Sequence, residues 1–237
     1  HQGGTDFGDC VRTFSRTLVE GLFGFKPDYP NGKVELFPQF PKDWNYASVE
    51  LPDVKIAFER KNTMNHYSFE LKKEANLFLK LPVQCSNIKN VTVEGAKASW
   101  ELEPGIGCSI VKIKLENAKK VNLSIEQQDE LPYYKPVFVE GNVGEKISLK
   151  AINAKIISVE DPQQSIDYEI IQKGILQAVL ARNLGYHTVV ARVLVGKSPQ
   201  YRVFRIKIND PAGDAKEAAR YLKTVPEKAN WECIDIA

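Results

Sequence analysis

Hydrophobic side chains recur every three or four positions in residues 8–23, near the start of the chain. They are Val11, Phe14, Leu18 and Leu22, and charged residues occupy the other sides of the cylinder. This spacing predicts an amphipathic helix. Asp6 or Asp9 can cap its start, and Gly24 stands where a helix commonly ends.

The apolar stripe of this helix is wide enough to need a partner surface. No second helix follows it closely in the sequence. The helix is therefore expected either to pack on the region that follows or to have lost neighbouring helices, and we favour the second arrangement. That arrangement predicts an exposed apolar face formed by Val11, Phe14 and Leu18.

From Phe25 to Gln127 hydrophobic and polar residues alternate instead, which is typical of β-strands. Asn31-Gly32 lies before a strand at 33–37 and favours a hairpin with a type I′ turn, which needs positive φ at both central residues. A second hairpin is expected around residues 61–65. About eight short strands, roughly ten residues apart, predict an antiparallel β-sandwich in residues 25–130.

A second β region is expected after a stiff linker. Residues 126–135 are largely polar and run into Leu-Pro-Tyr-Tyr-Lys-Pro, in which two prolines bracket the aromatics. Seven strand-like runs with no helix among them then predict an immunoglobulin-like sandwich in residues 131–210. The runs are residues 137–139, 146–150, 156–159, 167–171, 175–180, 187–195 and 201–208.

The end of the chain predicts a short helix over residues 215–223, with Asp214 as its cap and Pro226 as its stop. Residues 231–237 are typical of an opening strand, so residues 211–237 are expected to lead into a further module. With a helix at the other end as well, the sequence predicts a mostly β fold of two antiparallel sandwiches and two terminal helices.

Composition and charge exclude some functions. The 237 residues are 43% hydrophobic and 26% charged, with a net charge of +2. That balance gives no electrostatic case for binding nucleic acid or anionic membranes. No apolar run approaches the ~20 residues that a membrane span needs. The first residues carry no signal peptide, which says nothing about export if the chain is a piece of a longer protein.

The four cysteines, Cys10, Cys85, Cys108 and Cys233, lie far apart without a C-x-x-C motif. This spacing argues against a zinc site. Cys85 and Cys108 belong to neighbouring strand-like segments. They could form a disulfide if the protein is exported, or each could remain a free, buried thiol.

The passage EGLFGFKPDYPNGKVELFPQFPKDW, residues 20–44, resembles the end of the catalytic domain in (α/α)6-toroid carbohydrate enzymes. Cellobiose-type phosphorylases and α-L-rhamnosidase-like hydrolases carry a similar passage into a β-sandwich. The matching residues are Leu22, Gly24, Phe25, Pro27, Asp28, Pro38, Pro41 and Trp44.

This resemblance implies that residues 1–24 hold the terminal helix of a missing helical barrel and that Trp44 packs beneath the sandwich. It implies that the paired catalytic carboxylates belong to that barrel, and that the immunoglobulin-like part is an appended module of large multidomain bacterial proteins. Export to the periplasm or cell surface is a further implication.

No catalytic group is assigned within the chain itself. Asp9 and Glu20 are eleven residues apart on one helix, ~16 Å along its axis, which is too far for the two carboxylates of a glycosidase. Glu20 is the better candidate to face a barrel cavity, and a helix-end or solvent-exposed charge is the alternative. His66 and His187 have no neighbouring nucleophile and are expected to be surface or hydrogen-bonded histidines.

Sugar-binding modules present flat aromatic faces, so nine aromatic residues are candidates for binding. A core or linker position is expected for each of them, and Tyr133-Tyr134 is expected to seal the contact between the sandwiches. The candidates are Tyr29, Trp44, Tyr46, Trp100, Tyr133, Tyr134, Tyr186, Tyr201 and Trp231.

The sequence thus predicts a non-catalytic C-terminal accessory region of a bacterial glycoside hydrolase that acts on a polysaccharide or oligosaccharide. It would brace the catalytic barrel, which is its expected partner. The alternatives are a carbohydrate- or protein-binding β module and a structural spacer of a surface protein. No cofactor or metal is predicted, and no binding residue is assigned.

Overall fold

The computed structural model describes residues 9–132, 134–172 and 174–224. The described residues are mostly β, with 61% in strands and 12% in helices, and the sheets are open. Helix α1 spans Asp9–Arg16 and continues as a π-helical turn over Thr17–Leu22, and helix α2 spans Pro211–Thr224. The predicted fold class, two β-sandwiches with a short helix towards each end, is confirmed.

Nine strands belong to the first sandwich. They are β1 (Phe25–Asp28), β2 (Lys33–Leu36), β3 (Tyr46–Glu50), β4 (Val54–Lys61), β5 (Met64–Val83), β6 (Ile88–Val93), β7 (Ala96–Lys97), β8 (Glu101–Ile106) and β9 (Cys108–Gln127). The two longest, β5 and β9, pair antiparallel from Met64↔Glu126 to Val83↔Ser109. Their inward residues form most of the first hydrophobic core.

Strands β5 and β9, of 20 residues each, are about twice as long as the short strands predicted for residues 25–130. Segments such as Lys72-Lys73-Glu74, in the middle of β5, are charged and are typical of turns. The structure keeps them extended, with a shift of register between Glu70 and Ala75. A bulge of this kind absorbs extra residues without ending the strand.

The first hairpin forms as predicted, with β1 antiparallel to β2, but its turn is of another type. Tyr29–Asn31 make a 3₁₀ turn, and Gly32 alone takes a left-handed conformation, at φ 63°. The proline at position 30 fixes φ near −65° and suits a 3₁₀ turn. The prediction of a type I′ turn was therefore wrong.

The end of the first helix is fixed to the first sandwich by an aromatic series. Phe23 contacts Phe40 edge-on at 5.3 Å between ring centroids, and Phe40 stacks on Phe58 at 5.0 Å. Trp44, which was expected to pack beneath the sandwich, is 39% exposed. The prediction for Trp44 was wrong because Phe40, between Pro38 and Pro41, occupies the position against the core.

Seven strands form the immunoglobulin-like sandwich. They are β10 (Val137–Asn142), β11 (Lys146–Lys150), β12 (Lys155–Glu160), β13 (Ile166–Gln172), β14 (Ile175–Leu180), β15 (Gly185–Val195) and β16 (Ser198–Asn209). Each overlaps one predicted run. A small sheet of order β11-β14-β13 contributes Leu149 and Leu176 to a second core, and β15 and β16 contribute residues such as Val189 and Phe204.

Hydrogen bonds join the two sandwiches into one continuous sheet. Strand β16 runs parallel to β8, with Gln200 opposite Gly105 and Tyr201 opposite Ile106. Thirteen strands are connected in this way, eight along the path β1-β2-β5-β9-β8-β16-β15-β12 and five beside it, which are β3, β4, β6, β7 and β10. Parallel pairing also occurs between β2 and β5 and between β10 and β16. The contact between the sandwiches is thus a shared sheet in addition to a linker.

Cys85 and Cys108 are free thiols. Val83 lies opposite Ser109 in the β5–β9 ladder, so these two residues share the inward face of the sheet. Because side chains alternate between faces, Cys85, two residues after Val83, lies on the inward side, and Cys108, one residue before Ser109, lies on the opposite side. Their burial agrees with this, since Cys85 is fully buried and Cys108 is partly exposed. Side chains on opposite faces of a sheet cannot form a disulfide without backbone movement.

Helix α2 begins earlier than predicted, and Asp210 caps it. The Asp210 carboxylate accepts a hydrogen bond from Gly213 N–H at 2.9 Å, and Pro211 occupies the first helical position. Both features are typical of a helix start. The prediction that Asp214 caps the helix was wrong, because Asp214 lies inside its first turn. Pro226 and residues 231–237 lie outside the described residues.

Candidate functional site

Glu20, the carboxylate favoured for a barrel cavity, forms an exposed ion pair on the first helix. Both of its oxygens accept hydrogen bonds from Arg16 Nε at 2.9 Å. It borders a shallow depression with Thr13, Thr17 and Lys26, in which it is the single carboxylate among the described lining residues. Glycoside hydrolysis ordinarily needs two carboxyl groups, and the described lining of this depression offers one. The side chain of Asp9 lies outside the described residues.

The two histidine candidates occupy different surroundings. His66 Nδ1 lies 2.8 Å from Ser124 Oγ across the β5–β9 ladder. His187 is buried on the inward face of β15, and neither ring nitrogen has a hydrogen-bond partner among the described residues. Within the same part of the chain, no cluster of three metal-ligating side chains occurs.

Most of the aromatic candidates lie against a core or in the junction. Tyr29 and Trp100 pack on the first core, and Tyr134 contacts β16. Tyr46 and Tyr186 are exposed, at 79% and 72%, on different sandwiches. Neither is among the lining residues of the two clefts described below. Tyr133 and Trp231 lie outside the described residues.

A polar pocket of about 150 Å³ lies at one end of the first sandwich. We call it the amide cleft after four of its residues, Asn62, Asn65, Gln84 and Gln127. Its other described lining residues are Phe40, Pro41, Lys42, Arg60, Pro82 and Glu130. The turn between β4 and β5, the ends of β5 and β9 and the loop after β2 meet there.

The backbone pattern explains why amides line this cavity. Asn65 precedes the buried residues Tyr67 and Phe69 on the inward face of β5, and Gln127 follows the buried Ile125 on β9. Each amide therefore occupies the inward position at the end of an apolar series, Asn65 before its series in the chain and Gln127 after its own. They are 1% and 5% exposed. Polar side chains thus continue the core face where the apolar core ends.

Arg60 is held at the wall of the amide cleft. Its Nε donates to Asn65 Oδ1 at 3.1 Å, its Nη1 donates to the Lys42 carbonyl oxygen, and its guanidinium lies 5.2 Å from the centroid of the Phe58 ring. Gln84 Oε1 is buried without a hydrogen-bond partner among the described residues. The cleft therefore brings several amide donors and acceptors together in a small space, which suits a small ligand with several hydroxyl groups.

The prediction assigned no binding residue, and the amides of this cleft were missed. The predicted strand began at His66, one residue after Asn65. A signal was nevertheless present in the alternating pattern. Asn65 stands two residues before the apolar series Tyr67 and Phe69, and Gln127 stands two residues after the series Leu123 and Ile125. Such a break in an inward-facing series marks a buried polar group.

No protein-family model and no curated protein sequence matches the chain. Solved structures match it weakly. An endo-fucoidan hydrolase of glycoside hydrolase family 107 aligns at 9% identity and a TM-score of 0.26, over 53% of this chain and 24% of that one. The tandem immunoglobulin repeats of Dlar align at 10% identity and a TM-score of 0.25, over 63% and 91%.

A third match is SGBP-B from the mixed-linkage glucan utilization locus of Bacteroides ovatus, solved in complex with a mixed-linkage heptasaccharide. It aligns at 6% identity and a TM-score of 0.24, over 66% of this chain and 55% of that one. The chain therefore spans about a quarter of the fucoidan hydrolase and about half of the glucan-locus protein. These structures are weak neighbours of the chain and include glycoside hydrolase and carbohydrate-binding proteins.

Among the described residues, no helix is both long enough and apolar enough to cross a membrane.

Proposed function

We propose that this chain is the non-catalytic C-terminal accessory region of a larger bacterial glycoside hydrolase, and that it braces a helical catalytic barrel. The observation that carries the proposal is the two-sided environment of the first helix. Its later residues, Val19 and Leu22, pack on the first core, and Phe23 is buried. Its earlier apolar residues, Phe14 and Leu18, are 65% and 38% exposed.

An exposed apolar face on an anchored helix needs a covering surface, because isolated apolar patches are otherwise unfavourable in water. The anchor itself is well defined. Phe37 N–H donates to the Gly24 carbonyl oxygen at 3.0 Å, and Gln39 N–H donates to the Leu22 carbonyl oxygen at 2.8 Å. The motif that resembles the toroid enzymes, residues 20–44, therefore fixes the direction in which the helix leaves the sandwich. Further helices of a barrel are the occupant that this resemblance favours.

The shared sheet supports a bracing role over that of a flexible tether. Domains joined by a linker alone are expected to move relative to one another. Here the linker is supplemented by the β8–β16 pairing and by a hydrogen bond from Lys197 N–H to the Ser86 carbonyl oxygen at 2.8 Å. Two sandwiches joined in this way can hold a barrel at a fixed distance from a further module.

The test is to determine the complete reading frame and to assay the full polypeptide on polysaccharides beside the 237-residue chain. The proposal expects an upstream run of paired amphipathic helices with inward carboxylates. It also expects hydrolysis by the full polypeptide and none by the chain alone. A start codon and export signal directly before His1 would overturn the proposal.

The second candidate function, a glycan-binding module, is favoured by the amide cleft. Its volume and its side-chain amides fit one neutral sugar ring, whose hydroxyl groups both donate and accept hydrogen bonds. The test is an NMR titration of the chain with neutral oligosaccharides, comparing Gln127→Leu with the exposed neighbouring change Gln128→Leu. Binding that is lost only in Gln127→Leu supports this function, and equal spectra with and without sugar exclude it.

A further inference from the structure

A second cleft lies where the linker meets the immunoglobulin-like sandwich. It has a volume of about 230 Å³ and is bordered by the linker after Leu131, the residues that follow β11, and the inward face of β16. Its walls are mainly apolar and include Val137, Val195 and Phe204. We call it the cationic cleft because Lys135, Lys150 and Arg202 also line it.

None of these three cations is paired within the described part of the chain. The ion pairs of that part lie elsewhere, and no Asp or Glu is among the residues described around this cleft. Arg202 Nε is buried and has no hydrogen-bond partner among the described residues. Burying the unpaired Arg202 guanidinium in an apolar cavity is costly, so its retention points to a ligand of opposite charge.

Arg202 is held in this position by Tyr134. The guanidinium carbon lies 4.5 Å from the centroid of the Tyr134 ring, and the Tyr134 hydroxyl is fixed by hydrogen bonds to the backbone of Val203. Gly107 lies against the same ring, where a Cβ would overlap it. Burial lowers the pKa of the Arg202 guanidinium, but arginine remains charged at neutral pH. The positive group is therefore pre-positioned.

We propose that the cationic cleft binds a sugar unit that carries an anionic oxygen group, either the carboxylate of a uronic acid or a sulfate ester. The anionic group would pair with the Arg202 guanidinium, since a planar guanidinium suits both carboxylate and oxyanion geometry. Lys135 and Lys150, both exposed at the rim, would add attraction. The aliphatic walls would contact the C–H face of the sugar.

The identification of the ligand as a saccharide rests on the proposed carbohydrate-related function, whereas the preference for an anion rests on the three unpaired cations. The two can fail separately. The reading frame and hydrolysis assay test the first, and they do not involve this cleft. A binding experiment on the 237-residue chain tests the second.

The experiment is isothermal titration of the chain with three oligosaccharides of equal length: a uronate, a sulfated sugar and a neutral sugar. The proposal expects at least one acidic sugar to bind at least about tenfold more tightly than the neutral one, with affinity that falls as salt rises. Binding of the uronate alone or of the sulfated sugar alone identifies the anionic group. Equal affinity for acidic and neutral sugars, or no binding, overturns the proposal.

Matched variants locate the site. Arg202→Gln is expected to weaken binding at least about tenfold, whereas Arg205→Gln, an exposed change on the same strand, leaves it unchanged. If Arg202→Gln does not fold, the double variant Lys135→Gln and Lys150→Gln, both at exposed positions, replaces it and is expected to weaken binding several-fold. Equal losses in Arg202→Gln and Arg205→Gln would overturn the assignment.

Discussion

The Tyr134 hydroxyl donates a hydrogen bond to the Val203 carbonyl oxygen at 2.8 Å and accepts one from Val203 N–H. One side chain of the linker thus satisfies both backbone groups of a residue in β16. Because the same strand pairs with β8, the linker, the immunoglobulin-like sandwich and the first sandwich meet at this point. The prediction that Tyr133-Tyr134 seals the contact agrees with this position of Tyr134.

Tyr134→Phe is expected to lower the free energy of unfolding by about 1–3 kcal/mol, because it leaves the backbone groups of Val203 without their partner. Urea unfolding measures the change. Tyr186→Phe is the matched control, since Tyr186 is 72% exposed, and it should stay within about 0.5 kcal/mol of the parent chain. Equal effects in the two variants would show that the hydroxyl of Tyr134 does not stabilise the junction.

Gly24→Ala is expected to be far more destabilising than Gly32→Ala, although both glycines have positive φ, of 66° and 63°. Any alanine in this conformation costs about 1–2 kcal/mol. A Cβ on Gly32 would meet nothing within 4 Å, whereas on Gly24 it would overlap the backbone of Phe37. The overlap should add about 1–3 kcal/mol in urea unfolding. Similar losses would mean that Phe37 moves aside freely.

Cys85 is expected to resist alkylation in the native chain. Burial raises the pKa of its thiol to about 11, so at pH 8 only about one molecule in a thousand would carry the reactive thiolate. Burial also raises the pKa of the Cys108 thiol. Iodoacetamide treatment with peptide mapping should modify both residues after unfolding, with or without reductant. A requirement for reductant would contradict the free-thiol assignment.

Gln200→Leu is expected to stabilise the chain. Gln200 is fully buried, and neither polar atom of its side chain has a hydrogen-bond partner among the described residues. Replacing such a group by an apolar one of similar size should raise the free energy of unfolding by about 1–2 kcal/mol. Gln177→Leu, at an exposed position of β14, is the control. A loss of stability in Gln200→Leu would show that the amide is bonded in solution.

The elements were predictable where alternation was strong and local. All seven runs of the second sandwich became strands, because residues such as Ile206 and Ile208 alternate with polar neighbours. The joins were not predictable. The inward face of β16 begins with three polar residues, Ser198, Gln200 and Arg202, before the apolar Phe204. Because these residues are polar, the predicted strand began only at Tyr201. The pairing of Gln200 and Tyr201 with β8 depends on residues about a hundred positions away, which no local pattern records.

The candidate sites were less predictable than the fold. Both clefts are built from residues of several elements, and neither contains a sequence motif. Single polar residues such as Asn65 and Arg202 are ordinary in the sequence, and their burial and missing partners appear only in the folded chain. The resemblance of residues 20–44 indicated Trp44 as the packing residue, whereas Phe40 has that position because it lies between Phe23 and Phe58.

The central claim, that the first helix is covered by a helical barrel in the parent protein, is tested most directly by hydrogen–deuterium exchange. The amides of residues 13–22 are compared between the 237-residue chain and the polypeptide of the full reading frame. The account predicts that exchange around Phe14 and Leu18 slows at least about tenfold in the full polypeptide, because covering the apolar face stabilises the helix. Identical exchange in both proteins would contradict it.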